Sequence, residues 1–272
     1  MPGAPIARAD GAAGWKPWTG WAAVVVNVGI IAGARSIIRP GGDPRLGVVI
    51  ALIFLNLAPV GLVILLAKWH GTTTASGFGL RRPPLALATG LVVAVGAVVL
   101  ALTALNVAAF GVDDRATSIT DRLAADNGTL NALLVIVLLA VAAPLGEEFF
   151  FRGYFFRALT NWRGVWPAAV TTSVVFSATH VGWVPIGALV PITVFGLGAC
   201  LLYHWTGSLY SALALHALLN SASVGTIRTL PWPLPMTMAI SVAVTLSAAV
   251  LIASLLGPPE SDEPKRRHLV PR

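Results

Sequence analysis

Ala143-Pro-Leu-Gly-Glu-Glu-Phe-Phe-Phe-Arg-Gly-Tyr-Phe-Phe-Arg157 decides how the rest of the chain is read. It continues an unbroken apolar run, Leu130 to Ala143, that has the composition of a membrane helix. Two adjacent carboxylates, Glu147 and Glu148, and the cation Arg152 therefore stand at or inside a bilayer. Charge at that depth is costly and is kept where it is paired and functional. On a helix Glu148 and Arg152 are one turn apart, with the glutamate on the N-terminal side, the favourable order for an ion pair. Glu147 projects about 100° away from its neighbour at 3.6 residues per turn. One glutamate thus has a local partner and the other is available for chemistry. Pro144 removes a donor from the helical ladder just upstream, and loosened backbone beside intramembrane carboxylates suits a site that admits water.

Working outward, the chain has 272 residues, of which 56% are hydrophobic and 11% charged, with a mean hydropathy of +0.81. Soluble domains carry about 25% charged residues. The expected fold is all-α, a polytopic transmembrane helical bundle of about eight spans. Strands are excluded because the apolar runs are long and unbroken. The spans are read near Trp15–Ala34, Leu46–Ala67, Leu85–Phe110, Leu130–Leu159, Val165–Val181, Ile186–Trp205, Ser208–Val224 and Trp232–Leu256. Residues 1–14 read as a disordered tail and 15–257 as one membrane domain, with its motif core at 130–223. Residues 258–272 read as a flexible charged tail. Its end, Leu269-Val-Pro-Arg272, matches a thrombin recognition sequence and is set aside as a processing remnant.

The net charge of +7 does not call for nucleic acid, because basic loops and tails follow from the positive-inside rule and anionic lipid. Arg8, Lys16, Lys68, Arg81, Arg82, Arg152, Arg157, Arg163, Lys265, Arg266 and Arg267 fall on one side of an eight-span chain. Arg35, Arg39, Arg45, Arg115, Arg122 and Arg228 fall on the other, diluted by aspartates. Both termini are therefore expected in the cytoplasm. The single cysteine, Cys200, excludes an intramolecular disulfide and a cysteine metal cluster, and reads as a small core residue.

Two later motifs meet the glutamates. Phe176-x-x-x-His180 lies in the fifth span and His216-x-x-x-Asn220 in the seventh, each at one-turn spacing on one helix face. Counted from the Asn161–Gly164 turn at 1.5 Å per residue, Glu147 lies about 18 Å deep and His180 about 22 Å. His216 and Asn220 fall at about 14 and 20 Å from the same side. Four polar groups on three helices thus share a layer. A free carboxylate with a histidine can activate water as a general base, and an asparagine can donate to a developing oxyanion. No serine stands in a G-x-S-x-G context, Ser177 included, and no H-E-x-x-H helix is present. Glu147, His180 and His216 are the candidate ligands if a divalent metal such as zinc is gathered from separate helices.

Glu147-Glu148-Phe-Phe-Phe-Arg152, Phe176-Ser-Ala-Thr-His180 and His216-Ala-Leu-Leu-Asn220 resemble, in order, the three motifs of the CPBP family. That family comprises CAAX-prenyl-protein endopeptidases of the Ras-converting type and bacterial relatives linked to bacteriocin processing and immunity. The resemblance implies a helical intramembrane endopeptidase. It implies that Glu147 and His180 activate water and that His216 with Asn220 completes the catalytic pocket. Glu148 and Arg152, with Phe176, take supporting roles. Metal dependence has been described for the family. The implied partners are a peptide or membrane-protein substrate and the lipid bilayer. The Ala, Gly, Val and Arg usage suggests a high-GC bacterium, hence a bacterial inner membrane. Two other readings stand beside it: a proton-coupled transporter, since buried Glu and His also relay protons, and a non-catalytic immunity or scaffold protein of the same fold.

The charge asymmetry yields a direct expectation. In Lys16→Cys and Lys265→Cys variants, a membrane-impermeant maleimide added to intact cells should leave both thiols unlabelled. Labelling of either from outside reverses the topology.

Overall fold

The computed structural model describes residues 15–37, 46–71, 74–111, 129–224 and 233–256. The tails expected at 1–14 and 258–272, the aspartate-bearing segment Val112–Asn127 and the expected start of the last span at Trp232 lie outside these residues. Eight helices are present among the described residues: α1 (Pro17–Ile37), α2 (Leu46–Trp69), α3 (Leu85–Phe110), α4 (Thr129–Arg163), α5 (Val165–Thr179), α6 (Leu189–Thr206), α7 (Leu209–Val224) and α8 (Leu234–Leu256).

Five helical segments are long and apolar enough to cross a membrane, those carrying α2, α3, α4, α6 and α8, and α1 and α5 are shorter apolar helices. This is a multi-pass membrane protein. The expected bundle of about eight spans is met in part: α7 is neither one of the five long apolar segments nor one of the two shorter apolar helices. Its 16 residues cover about 24 Å at helical rise, less than the roughly 30 Å of a bilayer core. Its sequence carries Ser211, His216, Asn220 and Ser221, and it packs inside the bundle rather than against lipid.

The bundle is organised around α4. Its best apolar window is 67% buried, against 17% for those of α3 and α8. A helix that is apolar all round is an interior helix, and the aromatic run meets that condition. Phe149, Phe150, Phe151, Tyr154, Phe155 and Phe156 are at most 1% exposed. Helix α1 runs antiparallel along α4. Trp15 stacks on Tyr154 at 4.6 Å, the Tyr154 hydroxyl donates to Thr19 Oγ1 at 3.0 Å, and Trp21 meets Phe155 edge-on at 5.2 Å.

The backbone of α4 widens into π-helical turns at Val137–Ala142 and Phe149–Phe156, on either side of Ala143–Glu148. In the first, the Ala143 N–H reaches back to the Leu138 carbonyl, and Pro144 has no N–H to continue the ladder. In the second, the i→i+5 ladder brings residues five apart onto roughly one face. Arg152 and Arg157 share that face and are 0% and 4% exposed. The burial of Arg152 was expected from its pairing with Glu148, and that of Arg157 was not. Arg157 Nη1 donates to the Tyr203 hydroxyl at 3.1 Å, and that hydroxyl donates to the Phe78 carbonyl at 3.2 Å. The α2–α3 connection is thereby tied to α4 and α6. The turn at Gly79 takes a φ of 78°, a left-handed conformation suited to glycine.

Gly146, beside Glu147, is where α2 touches α4 most closely. A Cβ at this position would overlap the Asn56 backbone carbonyl oxygen. Gly146→Ala should separate the two helices, and overpacking of this kind costs about 1–3 kcal/mol. A lower thermal midpoint of the purified protein in detergent is expected. An unchanged midpoint contradicts the close approach.

Candidate active site

Glu148 is 0% exposed, and one of its oxygens serves two partners. Oε1 accepts from Arg152 Nη1 at 2.9 Å and from His216 Nδ1 at 2.7 Å. The i,i+4 pair expected on α4 is present, and it extends to α7. Arg152 spends its second terminal nitrogen on the Gly196 carbonyl at 3.1 Å. Its guanidinium lies 4.6 Å from the centroid of the Phe176 ring and 5.3 Å from that of Phe195. Paired, hydrogen-bonded and stacked, the cation meets the conditions for tolerable burial.

The proton on His216 Nδ1 is fixed by this geometry, because a carboxylate in an ion pair with Arg152 accepts. Nε2 is then left facing Glu147, whose Oε2 lies 3.8 Å away. The Glu147 side chain keeps 25% of its surface exposed. The two adjacent glutamates thus differ as the helical rotation requires: one is locked inside and one faces open space.

That space is a cavity of about 630 Å³ lined by Glu147, His180, His216, Asn220 and Phe176 together with residues of α1, α2, α3 and α6. The four polar residues read as sharing one depth line one cavity. His180 caps α5, and its Nδ1 lies 2.9 Å from the Phe176 carbonyl. A carbonyl only accepts, so Nδ1 carries the proton and Nε2 is the remaining acceptor. Asn220 Nδ2 donates to the Leu139 carbonyl at 2.7 Å, which leaves one N–H and the side-chain oxygen for other partners. Ser177 Oγ donates to the Leu189 carbonyl at 2.9 Å, a tie between α5 and α6. Glu147 Oε2, Glu148 Oε2 and Arg152 Nε are buried without a protein hydrogen-bond partner. The cluster therefore retains capacity for water or substrate.

A zinc site needs three or four donors about 2.0–2.3 Å from the ion. Among the described residues no group of three His, Cys, Asp or Glu side chains is gathered to hold a metal. Glu147, His180 and His216 all line the cavity, and each imidazole spends Nδ1 on a protein acceptor, Glu148 or the Phe176 carbonyl, which leaves Nε2 of both as the atom that could ligate.

Sequence reasoning missed several parts. It placed Glu148 with Arg152 but not with His216, 68 residues away. It overlooked Phe195, whose ring centroid is 4.8 Å from that of His216. It passed over Asn27 and Asn56, which line the cavity from α1 and α2. A signal existed for these two, since each is an isolated amide in an apolar run.

Residues 129–222 match the family model described as Type II CAAX prenyl endopeptidase Rce1-like. No curated protein and no solved structure matches the chain.

Removing Arg152 leaves Glu148 buried with only His216 to answer its charge. Breaking a buried pair in this way typically costs about 3–5 kcal/mol. Arg152→Ala should lower both the yield and the thermal midpoint in detergent. Arg152→Lys should recover only part, because an ammonium cannot reach Glu148 and Gly196 in one plane. Full stability of Arg152→Ala contradicts the role given to the pair.

Proposed function

We propose, for a chain that belongs through residues 129–222 to the Rce1-like type II CAAX prenyl endopeptidases, a protease family, that Glu147 activates water to cleave a peptide bond of a membrane-associated substrate. The observation that carries this reading is the contrast between the two glutamates. Glu148 is fully buried on Arg152 and His216, while Glu147 opens into the cavity 3.8 Å from His216 Nε2.

In this mechanism Glu147 takes a proton from water as the oxygen attacks the carbonyl carbon. In its imidazolium form His216, with a carboxylate toward each ring nitrogen, hydrogen-bonds the oxyanion through Nε2–H and keeps that proton as the carbonyl re-forms. The free N–H of Asn220 is a second donor. Glu147 then returns its proton to the leaving amine as the C–N bond breaks. His180 presents the acceptor Nε2 to the same cavity and orients the water. The steps use only this chain's own side chains; were a divalent metal bound, Glu147 with Nε2 of His180 and His216 would hold it, and it would supply Lewis-acid activation of the water. Water exclusion by the surrounding helices strengthens each of these interactions.

Ile30, Ile31, Leu52, Leu55 and Leu100 form apolar walls of the cavity. They suit a peptide with a long apolar modification, such as the prenylated CAAX substrates for which the family is named. The charge distribution of the sequence supports eight crossings with both termini in the cytoplasm.

The test is cleavage of a farnesylated CAAX peptide by the purified protein, read by mass spectrometry. Glu147→Gln keeps shape and removes the base, so the rate should fall by about 10²–10⁴. Asn220→Ala removes one oxyanion donor and should cost about 10²–10³. Wild-type turnover in Glu147→Gln overturns the mechanism.

A further inference from the structure

Pro144 has two effects on the carbonyls behind it. In an α-helical ladder its missing N–H would have bonded Ala140, and in a π-helical ladder Leu139. Because Ala143 already reaches Leu138, the Leu139 carbonyl has no backbone donor on either pattern. Both carbonyls are met from outside the helix. Asn220 of α7 donates to Leu139 at 2.7 Å, and the Thr245 hydroxyl of α8 donates to Ala140 at 3.1 Å. Thr245 is 0% exposed and lies beyond the matched segment 129–222.

We infer that Thr245 is a positioning residue for the glutamate pair: its hydroxyl holds the turn of α4 that aims Glu147 into the cavity and Glu148 at Arg152 and His216. Lipid supplies no donor to a bared carbonyl, so a helix that loses an outside donor relieves the deficit by re-threading its own ladder. Re-threading between π and α patterns moves the downstream register by one residue, about 100° of rotation. Glu147 and Glu148 are themselves one residue apart. A slip of the turn therefore exchanges the outward carboxylate for the inward one, which a general loosening of the fold does not do.

The inference rests on Glu147 as the cavity-facing carboxylate, and its test needs no substrate. Folded protein in detergent, selected by size exclusion, is treated with dicyclohexylcarbodiimide, a hydrophobic carboxylate reagent. The ratio of modified Glu147 to modified Glu148 is read by mass spectrometry. Wild type and Thr245→Ser should show Glu147 modified and Glu148 protected. In Thr245→Val, which keeps the volume and loses the hydroxyl, the ratio should fall about tenfold or more, the scale of an unsatisfied buried carbonyl. Thr245→Cys, a weak donor of similar size, should fall between, and it serves as the readout if the valine variant does not fold. A wild-type ratio in the valine or the cysteine variant overturns the inference, since Thr245 would then only fill space. A shifted ratio in a protein whose wild type cleaves no farnesylated peptide upholds the inference and removes the proteolytic reading.

Discussion

A single carboxylate oxygen, Glu148 Oε1, accepts from both Arg152 and His216 in a site with no exposure to solvent. Removing Arg152 or Glu148 leaves a buried charge without its main partner. The surrounding architecture follows from this demand. Phe176 and Phe195 offer their rings to the guanidinium, and Gly196 offers a carbonyl. The aromatic run of α4 seals the layer nearer Arg157. Glu147 can be kept open to the cavity because its neighbour absorbs the cation.

The second demand is on the backbone. A soluble helix can break at proline and let water satisfy the freed carbonyls, but an intramembrane helix must recruit side chains. Helices α7 and α8 supply them through Asn220 and Thr245. Asn220 consequently has a structural bond to Leu139 and keeps a second N–H beside the cavity that it lines.

Much of this was legible from spacing alone. The third helix ends at Leu85 and Phe110 as read from its apolar run. The one-turn spacings joined Glu148 to Arg152 and Phe176 to His180 correctly, because contacts within a helix follow directly from its period. The His216–Glu148 bond was not legible, since it depends on how α7 is rotated against α4. Arg157 was misread for a related reason. A period of 3.6 residues separates it from Arg152, and only the π-helical turn, invisible in residue types, aligns the two. The common depth of Glu147, His180 and His216 says nothing about which way each imidazole turns, so the Nδ1 partners of the two histidines were not legible either.

Helix α5 stops at Thr179 after 15 residues, and the chain turns back at once, with the Trp183 N–H donating to the His180 carbonyl at 2.9 Å. Fifteen residues cover about 22 Å, against a hydrocarbon thickness of about 30 Å. This flank carries a hydrophobic mismatch, and a bilayer meets a short segment by thinning, at a fraction of a kcal/mol per Å. His180 and the adjoining Trp183, both of which line the cavity, stand at this short end. A bilayer thinned beside α5 would bring one headgroup region nearer to both of them.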